Sequence, residues 1–369
     1  MKIGINLIQY TDIQGIEVFA QNIVREMIAL APDDKFVIFG NQKTASLFAF
    51  SGANVRLVVK KFPRLSSLAL IVYQQFGLRR AITKERIDVL YCPSIAHPLF
   101  SKKTVVTIHD CATQRYPDES RGFLNRVYVF FAFISAKRCA RRIVTVSEFS
   151  KKEIVSVMRV SDSKIAVVSE GVPKLPDVSA GAIASVRTRF SLPENYFFYI
   201  GNTRPRKNIE RLILAFARYR VHGGLTELVL AGKIDDSLVN IAALIQKNVL
   251  ADVVHRIGTF SDEEKVALYR GSRALVFPSL YEGFGLPVLE AQQCGVSVLT
   301  SRSSSLPEVA GNGAIFVDPL DVDALADGLA DIDTKEDLRR EIIVAGYENV
   351  KRFSWTMAAR RLLAVVRPV

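Results

Sequence analysis

Residues that form disulfides or bind structural metals are scarce in this chain. Its 369 residues include only four cysteines, at positions 92, 111, 139 and 294, and four histidines. The cysteines have neither C-x-x-C spacing nor a Cys/His pattern typical of zinc ligands, which argues against a disulfide framework and against a zinc site. A reducing, cytoplasmic environment fits this composition best.

Long apolar runs and several nucleotide motifs are also missing. The longest apolar run, residues 127–136, is about half of the ~18 to 20 residues that a membrane-spanning helix needs. The N-terminal segment M-K-I-G-I-N-L-I lacks a cleavage pattern and predicts a β-strand, not a signal peptide. The absence of G-x-x-x-x-G-K, of a full G-x-G-x-x-G fingerprint and of an acidic Mg²⁺ cluster argues against an NTPase or a dehydrogenase.

Acidic residues are under-represented in the first half. The chain has 49 Lys and Arg against 37 Asp and Glu, a net charge of +12. Residues 1–180 hold 26 of these basic and 15 of these acidic residues, so nearly all of the excess lies there. A basic half and a neutral half predict two different partners. Without a helix-turn-helix or stacking pattern, nucleic acid is not expected to be one of them.

Two basic segments of the first half, residues 60–86 and 121–142, also contain apolar and aromatic stretches. Such segments suit the surface of an anionic membrane, where aromatic rings enter the interface and Lys and Arg meet the head groups. Residues 127–134 are apolar all round and could equally form a buried helix with basic ends. Both interpretations stay open on the sequence.

Strands alternate with amphipathic helices in both halves. Residues 15–30 carry apolar side chains in the i, i+3, i+4, i+7 pattern of a helix. The predicted strands are 3–8, 35–39, 55–59, 89–91, 104–108 and 143–146, then 196–200, 227–231, 253–257, 274–278, 296–300 and 314–317. This alternation predicts an α/β fold of two doubly wound Rossmann-like domains facing across a cleft.

Composition also predicts the domain boundaries. Residues 171–193 contain three prolines and two glycines, which indicates a linker at 173–193. We therefore predict an N-terminal domain at 1–172 and a C-terminal domain at 194–353. A last helix within 354–369 could pack back on the N-terminal domain.

Polar groups at strand ends mark a candidate site. In the first half these are Gly15, which permits close approach to a phosphate, and His109, expected to project into the cleft. In the second half, the loop G-N-T-R-P-R-K-N (201–208) precedes a helix and carries Arg206 and Lys207. Cations at a helix N-terminus oppose the helix dipole unless an anion is present, so this loop predicts a diphosphate site.

The segment Y-E-G-F-G-L-P-V-L-E-A (281–291) sets Glu282 and Glu290 eight positions apart. Gly283 and Gly285 disfavour a helix, whereas Pro287 suits a first helical turn, so we predict a loop followed by a helix from about residue 286. One carboxylate then lies on the loop and the other inside the helix. Together with the cation loop, this arrangement suggests a nucleotide-diphosphate site with a sugar end.

These motifs resemble the retaining GT-B glycosyltransferases of family 4. The matching stretches are Y-I-G-N-T-R-P-R-K-N-I-E-R-L (199–212), L-V-L-A-G-K (228–233), V-F-P-S-L-Y-E-G-F-G-L-P-V-L-E-A (276–291) and S-S-L-P-E-V-A-G-N-G-A (304–314). T-I-H-D (107–110) and T-V-S-E-F-S (145–150) extend a looser resemblance into the first half. Some variants look most like mannosyl- or rhamnosyl-type O-antigen and capsule transferases.

The resemblance implies a role for each matching position. Arg206 and Lys207 would neutralise the donor diphosphate, Glu290 would hold the ribose, and His109 would lie near the donor sugar. The residues expected to contact the transferred sugar and the phosphate are Glu282, Gly283, Phe284, Gly285 and Leu286. Gly15 would face the phosphate, although Gln14 stands where relatives often have a first glycine.

The resemblance further implies a metal-independent, retaining hexosyltransferase without a cofactor other than its nucleotide-sugar co-substrate. GDP-mannose is the first expected donor, and a polyprenyl-diphosphate-linked glycan of bacterial surface polysaccharide synthesis is the first expected acceptor. The enzyme would then be cytoplasmic or peripheral on the inner face of the membrane. A UDP- or dTDP-sugar transferase with a soluble acceptor and a non-catalytic nucleotide-sugar-binding protein are the alternatives.

Overall fold

The chain forms thirteen strands within the residues that the computed structural model describes, which are 1–11, 15–48, 50–119, 122–172, 174–234, 236 and 238–367. The strands are β1 (Lys2–Leu7), β2 (Lys35–Asn41), β3 (Val55–Lys60), β4 (Val89–Cys92), β5 (Thr104–Thr107), β6 (Arg142–Thr145), β7 (Ile165–Val167), β8 (Tyr196–Asn202), β9 (Glu227–Lys233), β10 (Val254–Ile257), β11 (Ala274–Phe277), β12 (Ser297–Ser301) and β13 (Ile315–Val317).

Helices separate most of these strands. They are α1 (Gly15–Leu30), α2 (Gln42–Leu47), α3 (Ser67–Lys84), α4 (Ala112–Arg115), α5 (Phe123–Cys139), α6 (Glu148–Met158), α7 (Ala180–Arg189), α8 (Ile209–Val221), α9 (Ile241–Lys247), α10 (Asp262–Arg270), α11 (Leu286–Gln293), α12 (Leu306–Ala310), α13 (Val322–Thr334), α14 (Glu336–Val350) and α15 (Trp355–Val366). Short 3₁₀ turns lie at Pro117–Glu119, Asp162–Lys164 and Pro205–Lys207.

The strands form two sheets with related topology. The first has the order β3-β2-β1-β4-β5-β6-β7, and the second has the order β10-β9-β8-β11-β12-β13. All the paired strands are parallel, with registers such as Ile5↔Ile38 in the first sheet and Phe198↔Val229 in the second. In each sheet the strand order reverses beside the first strand, which is the doubly wound arrangement. The predicted fold class is confirmed.

The chain divides into two compact units. The first unit comprises Met1–Gly171 and Phe353–Val369, and the second comprises Val172–Arg352. Apolar side chains of the helices pack on both faces of the second sheet, and Phe197 and Phe198, adjacent on β8, point to opposite sides of it. Such double-sided burial is the reason that these parallel strands read as continuous apolar runs.

The segment predicted as a linker, residues 173–193, contains a helix. Residues 180–189 form α7, whose N-cap Ser179 accepts a hydrogen bond from the Ala182 amide, and Val186 is buried in the core of the second unit. Prolines and glycines at the ends of this segment bound a helix; they do not mark an unstructured connection. Pro173, the first residue of the predicted linker, lies outside the described residues.

The last helix, α15, belongs to the first unit. It packs along α1, where Thr356 Oγ1 donates a hydrogen bond of 2.8 Å to Glu26, and Arg367 donates one of 2.8 Å to Asp34. Leu362 and Val366 of α15 are fully buried. An amphipathic helix with this stripe of apolar residues is stable only against another apolar surface, which α1 supplies.

Candidate functional site

The predicted cation loop follows β8 and is held by one asparagine. Asn208 adopts a left-handed conformation (φ 59°) between the 3₁₀ turn Pro205–Lys207 and α8, a conformation that asparagine tolerates better than most residues. Its side-chain amide donates hydrogen bonds to the carbonyl oxygens of Pro278 (3.0 Å) and Pro319 (2.7 Å). The loop after β8 is therefore fixed to the loop after the neighbouring strand β11. This is the edge where doubly wound sheets bind ligands.

Arg206 and Lys207 face Glu282 of that neighbouring loop. Lys207 Nζ lies 2.5 Å from Glu282 Oε1, and Arg206 Nη1 lies 3.4 Å from Glu282 Oε2. Burial raises the pKa of Glu282, but the charges of Lys207 and Arg206 outweigh burial and hold it below its usual value. The sequence suggested an external anion for this loop, and the structure shows that Glu282 itself supplies one. The cluster holds two cations against one carboxylate.

The turn that carries Glu282 is shaped by Gly285 and by Ser305. Gly285 has φ +116° and caps α11, so the helix begins at Leu286 as predicted. The Ser305 hydroxyl lies 2.9 Å from the Glu282 carbonyl oxygen and 2.7 Å from that of Phe284, as their hydrogen-bond donor. Gly283 and the buried Phe284 lie within this turn. The predicted contacts of these residues with sugar and phosphate stay predictions.

Glu290 has a different set of partners. It lies inside α11 and accepts hydrogen bonds from Lys265 Nζ (2.8 Å) and from the Tyr269 hydroxyl (2.9 Å). Burial lowers the pKa of Lys265, but the charge of Glu290 outweighs burial and raises it. Sequence reasoning missed Lys265 and Tyr269, whose only signal is their i, i+4 spacing on α10, which places both on one helix face. The two glutamates therefore bind different cations.

His109 follows β5 at the corresponding edge of the first sheet. The ring Nε2 lies 2.9 Å from the Pro93 carbonyl oxygen, and Nδ1 lies 3.8 Å from Glu170 Oε1. Phe19 packs perpendicular to the ring, with 4.8 Å between the centroids. We predicted a projecting side chain, but the His109 side chain is only 11% exposed and both of its nitrogens face groups of its own unit.

Gly15 is the first residue of α1, and no atom of the described residues lies within 4 Å of a Cβ built there. The predicted contact of Gly15 with a phosphate stays a prediction. Gln14 lies outside the described residues.

Across the described residues, no group of three or more His, Cys, Asp or Glu side chains is placed to hold a metal ion. None of the described helices combines the length and the apolar character that a bilayer crossing requires.

The two basic, apolar segments form α3 and α5, each partly buried. On α5, Tyr128, Ala132 and Phe133 pack inward, as the buried-helix interpretation predicted. The opposite face is open to solvent, and its exposed apolar residues are Phe123, Leu124, Val127, Phe130 and Phe131. Leu68, Val72 and Phe76 form a similar stripe on α3. Arg121, at the start of the second segment, lies outside the described residues.

Comparisons with known proteins agree with this architecture. Residues 13–174 match the family described as Glycosyltransferase Family 4, and residues 184–349 match Glycosyl transferases group 1. The O-antigen chain mannosyltransferase B of Escherichia coli is 31% identical over 307 residues, which cover 80% of this chain and 78% of that protein. The O-antigen chain mannosyltransferase RfbU of Salmonella typhimurium is 30% identical over 270 residues, with coverage of 73% and 71%.

A solved structure supports the fold. Sucrose-phosphate synthase from Thermosynechococcus elongatus matches with a TM-score of 0.74, over 98% of this chain and 97% of that chain, at 19% sequence identity. One assignment follows from the family matches in both halves, from the coverage of the Escherichia coli relative and from the two doubly wound sheets. The chain belongs to glycosyltransferase family 4 and is a retaining glycosyltransferase with the GT-B fold.

Proposed function

We propose that this enzyme transfers a hexose, with mannose as the first candidate, from a nucleoside-diphosphate sugar to a growing bacterial surface glycan. The observation that carries the proposal is the cluster of Arg206, Lys207 and Glu282 beside the reversal point of the second sheet. The names of the two O-antigen mannosyltransferases to which the chain is similar support the choice of sugar and product.

The two cations explain how the donor bond would break. During transfer, the bond between the anomeric carbon and the phosphate oxygen breaks, and negative charge develops on the leaving diphosphate. Arg206 and Lys207 would stabilise that charge when they turn from Glu282 to the diphosphate, and such electrostatic stabilisation is a large part of catalysis. The acceptor oxygen would bond to the same face of the sugar, and its proton would pass to the leaving phosphate. No protein base is needed in this scheme.

A donor panel tests the proposal. Release of nucleoside diphosphate is measured with GDP-mannose, UDP-sugars and dTDP-sugars, in EDTA, with a polyprenyl-diphosphate-linked or a soluble acceptor. We expect turnover with GDP-mannose and the lipid-linked acceptor, and a loss of about 10²-fold or more in the Arg206→Ala and Lys207→Ala variants. Arg256→Ala is the matched control, because Arg256 pairs with Asp236 at the surface.

The possible results separate the alternatives. Turnover of a UDP- or dTDP-sugar with a soluble acceptor would support the alternative transferase. Binding of a nucleotide sugar without release or transfer, for every donor, would support the non-catalytic protein and overturn the proposal.

We also propose that the first unit binds the surface of an anionic membrane at the cytoplasmic side. Neither α3 nor α5 contains an Asp or Glu, whereas Arg79, Arg126 and Lys137 are among their basic residues. A groove of about 390 Å³ lies beside α5. Apolar side chains of α5 and α6 line it together with the polar Thr113, Gln114 and Asn125 and the basic Arg126 and Lys137. Exposed aromatic rings next to cations suit an anionic lipid interface, where a lipid-linked acceptor would be found.

A further inference from the structure

Glu170 is a buried acid beside the histidine of the first unit. It follows β7, its side chain is 7% exposed, and its Oε1 lies 3.8 Å from His109 Nδ1. Its Oε2 is buried and has no hydrogen-bond partner among the described residues. A buried carboxylate is costly unless an opposite charge or a proton compensates for it. His109 lies where it can supply either the opposite charge or the proton.

The Pro93 carbonyl determines which ring nitrogen carries a proton. A carbonyl oxygen only accepts hydrogen bonds, so His109 Nε2, at 2.9 Å from it, must be the protonated donor. If Nδ1 were unprotonated, its lone pair would face the carboxylate of Glu170. A proton on Nδ1, directed at Oε1, removes this repulsion and gives the buried carboxylate an opposite charge.

The electrostatic surroundings favour that proton. Burial lowers the pKa of His109, but Glu170 outweighs burial and, with Asp110, raises it above its usual value. Burial raises the pKa of Glu170, and His109 only partly opposes this effect. The other side chain packed on the ring, Phe19 of α1, is uncharged. Both members of the pair therefore retain protons to a higher pH than in water.

Packing holds the pair in place. A Cβ at Gly171, the residue after Glu170, would lie 2.3 Å from the Trp355 backbone nitrogen, so only glycine fits there. The Trp355 ring packs edge-on against Phe19, at 5.8 Å between the centroids, and Phe19 in turn packs on His109. Contacts thus connect the acid, the start of α15, α1 and the histidine. A pair enclosed in this way keeps one geometry.

We propose that Glu170 is a positioning residue: it keeps His109 protonated on both nitrogens and bound to the Pro93 carbonyl, which fixes the loop after β5. The inference rests on the proposed function in one respect, that this enzyme transfers a sugar and that His109 lies near that sugar, as the family resemblance implies. It deepens that proposal, because a ring protonated on both nitrogens cannot act as a general base. His109 then orients and stabilises charge, and proton transfer is left to the leaving phosphate.

Glu170→Gln tests this assignment through two readouts. The chain has four histidines, so NMR of protein labelled at histidine follows the titration of each ring. We expect the His109 midpoint to fall by at least one pH unit, and the alkaline decline of kcat to move by the same interval. At a pH above both midpoints, kcat would be roughly tenfold lower than in the wild type, since there a difference of one pKa unit is a tenfold change in the protonated fraction. Nucleoside diphosphate affinity should change less than about twofold.

Two further variants serve as controls. Glu170→Asp keeps the charge but places its shorter carboxyl farther from Nδ1, so its titration midpoint and its kcat decline should both lie between those of the wild type and of Glu170→Gln. Glu227→Gln removes the partner of His255, a half-exposed pair at 2.5 Å on the second sheet, and should leave the pH profile of kcat unchanged.

Several outcomes would overturn the assignment. An unchanged His109 midpoint in Glu170→Gln would show that the pair does not share a proton. A lowered midpoint with an unshifted kcat profile would show that the proton has no role in positioning. If Glu170→Gln does not fold, the same two measurements on Glu170→Asp decide, because its shorter carboxyl should lower both values together. Wild-type protein that turns over no donor would defeat the proposed function, while the NMR titration still decides on the pair.

Discussion

At the scale of single residues, Glu282 already occupies the cations that a donor diphosphate would need. Glu282→Gln should therefore reduce transfer, yet keep or tighten nucleoside diphosphate binding, because Arg206 and Lys207 lose a competing anion. The folded state should lose about 2–4 kcal/mol, since both cations are only 12% exposed and would lack this carboxylate. Calorimetric titration, product release and urea unfolding measure the three effects.

The pH dependence of the stability difference between the wild type and Glu282→Gln provides a control. The pKa of Glu282 is lowered in the folded protein, so its contribution to stability is present above its ordinary value of 4.5 and disappears as the pH falls through the folded value. The difference in unfolding free energy between wild type and Glu282→Gln should therefore shrink on acidification. If Glu282→Gln weakened nucleoside diphosphate binding by the same factor as it reduced transfer, that result would contradict the separate roles of the two glutamates.

Glu290 should report on the nucleotide instead. Glu290→Ala removes the proposed ribose ligand and the carboxylate that Lys265 and Tyr269 contact. We expect nucleoside diphosphate affinity to fall by roughly 10- to 100-fold, as for the loss of a charged hydrogen bond. Isothermal titration calorimetry measures it, with the exposed Glu263→Gln as the control. Unchanged affinity in Glu290→Ala would exclude the ribose role.

Site residues could be predicted from the sequence only where a motif contains them. Arg206, Lys207 and Glu282 are conspicuous because of their neighbouring glycines and prolines. Their mutual pairing, however, depends on β8 and β11, which are adjacent in the sheet although their paired residues are 77 positions apart in the chain. Glu170 and Lys265 lie in segments of ordinary polar composition. Their importance arises from burial and from contacts with residues distant in the sequence, which no local pattern encodes.

At the scale of elements, the predicted boundaries are best where the periodicity is long. The helix predicted at 15–30 is observed as α1, with Phe19, Ile23 and Met27 buried on one face. In contrast, β7, which has only three residues, was not predicted. α7 was missed because arginines and a glycine dilute its pattern, and its hydrophobic anchoring through Val186 depends on the neighbouring core.

The turn into α11 makes a prediction at this scale. Gly285→Ala places a Cβ at φ +116° and 2.8 Å from a methyl group of Leu306, so the turn must deform. We expect a loss of about 1–3 kcal/mol in unfolding free energy together with weaker donor binding. Urea unfolding and calorimetry measure these effects.

A matched glycine provides the comparison. Gly181 lies within α7, where the described atom nearest to an added Cβ is Ser179 Oγ, at 3.8 Å. Gly181→Ala should therefore be neutral or stabilise the protein by up to ~1 kcal/mol, without an effect on the donor. If both variants behaved alike, the backbone conformation at Gly285 would not be what shapes the turn.

At the scale of the whole molecule, the charge excess and the exposed aromatic residues occur together in the first unit. Serine at Phe123, Phe130 and Phe131 should lower binding to anionic vesicles by about tenfold or more, since each ring would otherwise bury apolar surface in the interface. Flotation with anionic and neutral vesicles measures it. The control carries serine at Val221, Leu225 and Val249, which are exposed on the second unit. Equal binding of both variants would refute the membrane surface on α5.

The charge distribution along the chain can be read from the sequence alone. The direction in which each α5 side chain points cannot. Residues 127–134 are apolar on every side, so periodicity could not separate the buried from the exposed rings. Only packing against the first sheet distinguishes Phe133, which is buried, from Phe130, which is exposed.

The first unit is assembled from two stretches of chain that are separated by the whole of the second unit. The second unit is continuous, so a ribosome completes its strands and core before it has made α15. The first unit cannot complete its core until Trp355 and the residues after it have been synthesised. Until then, the face of α1 that α15 covers stays exposed. Translation therefore imposes an order in which the half synthesised first is the last to finish folding.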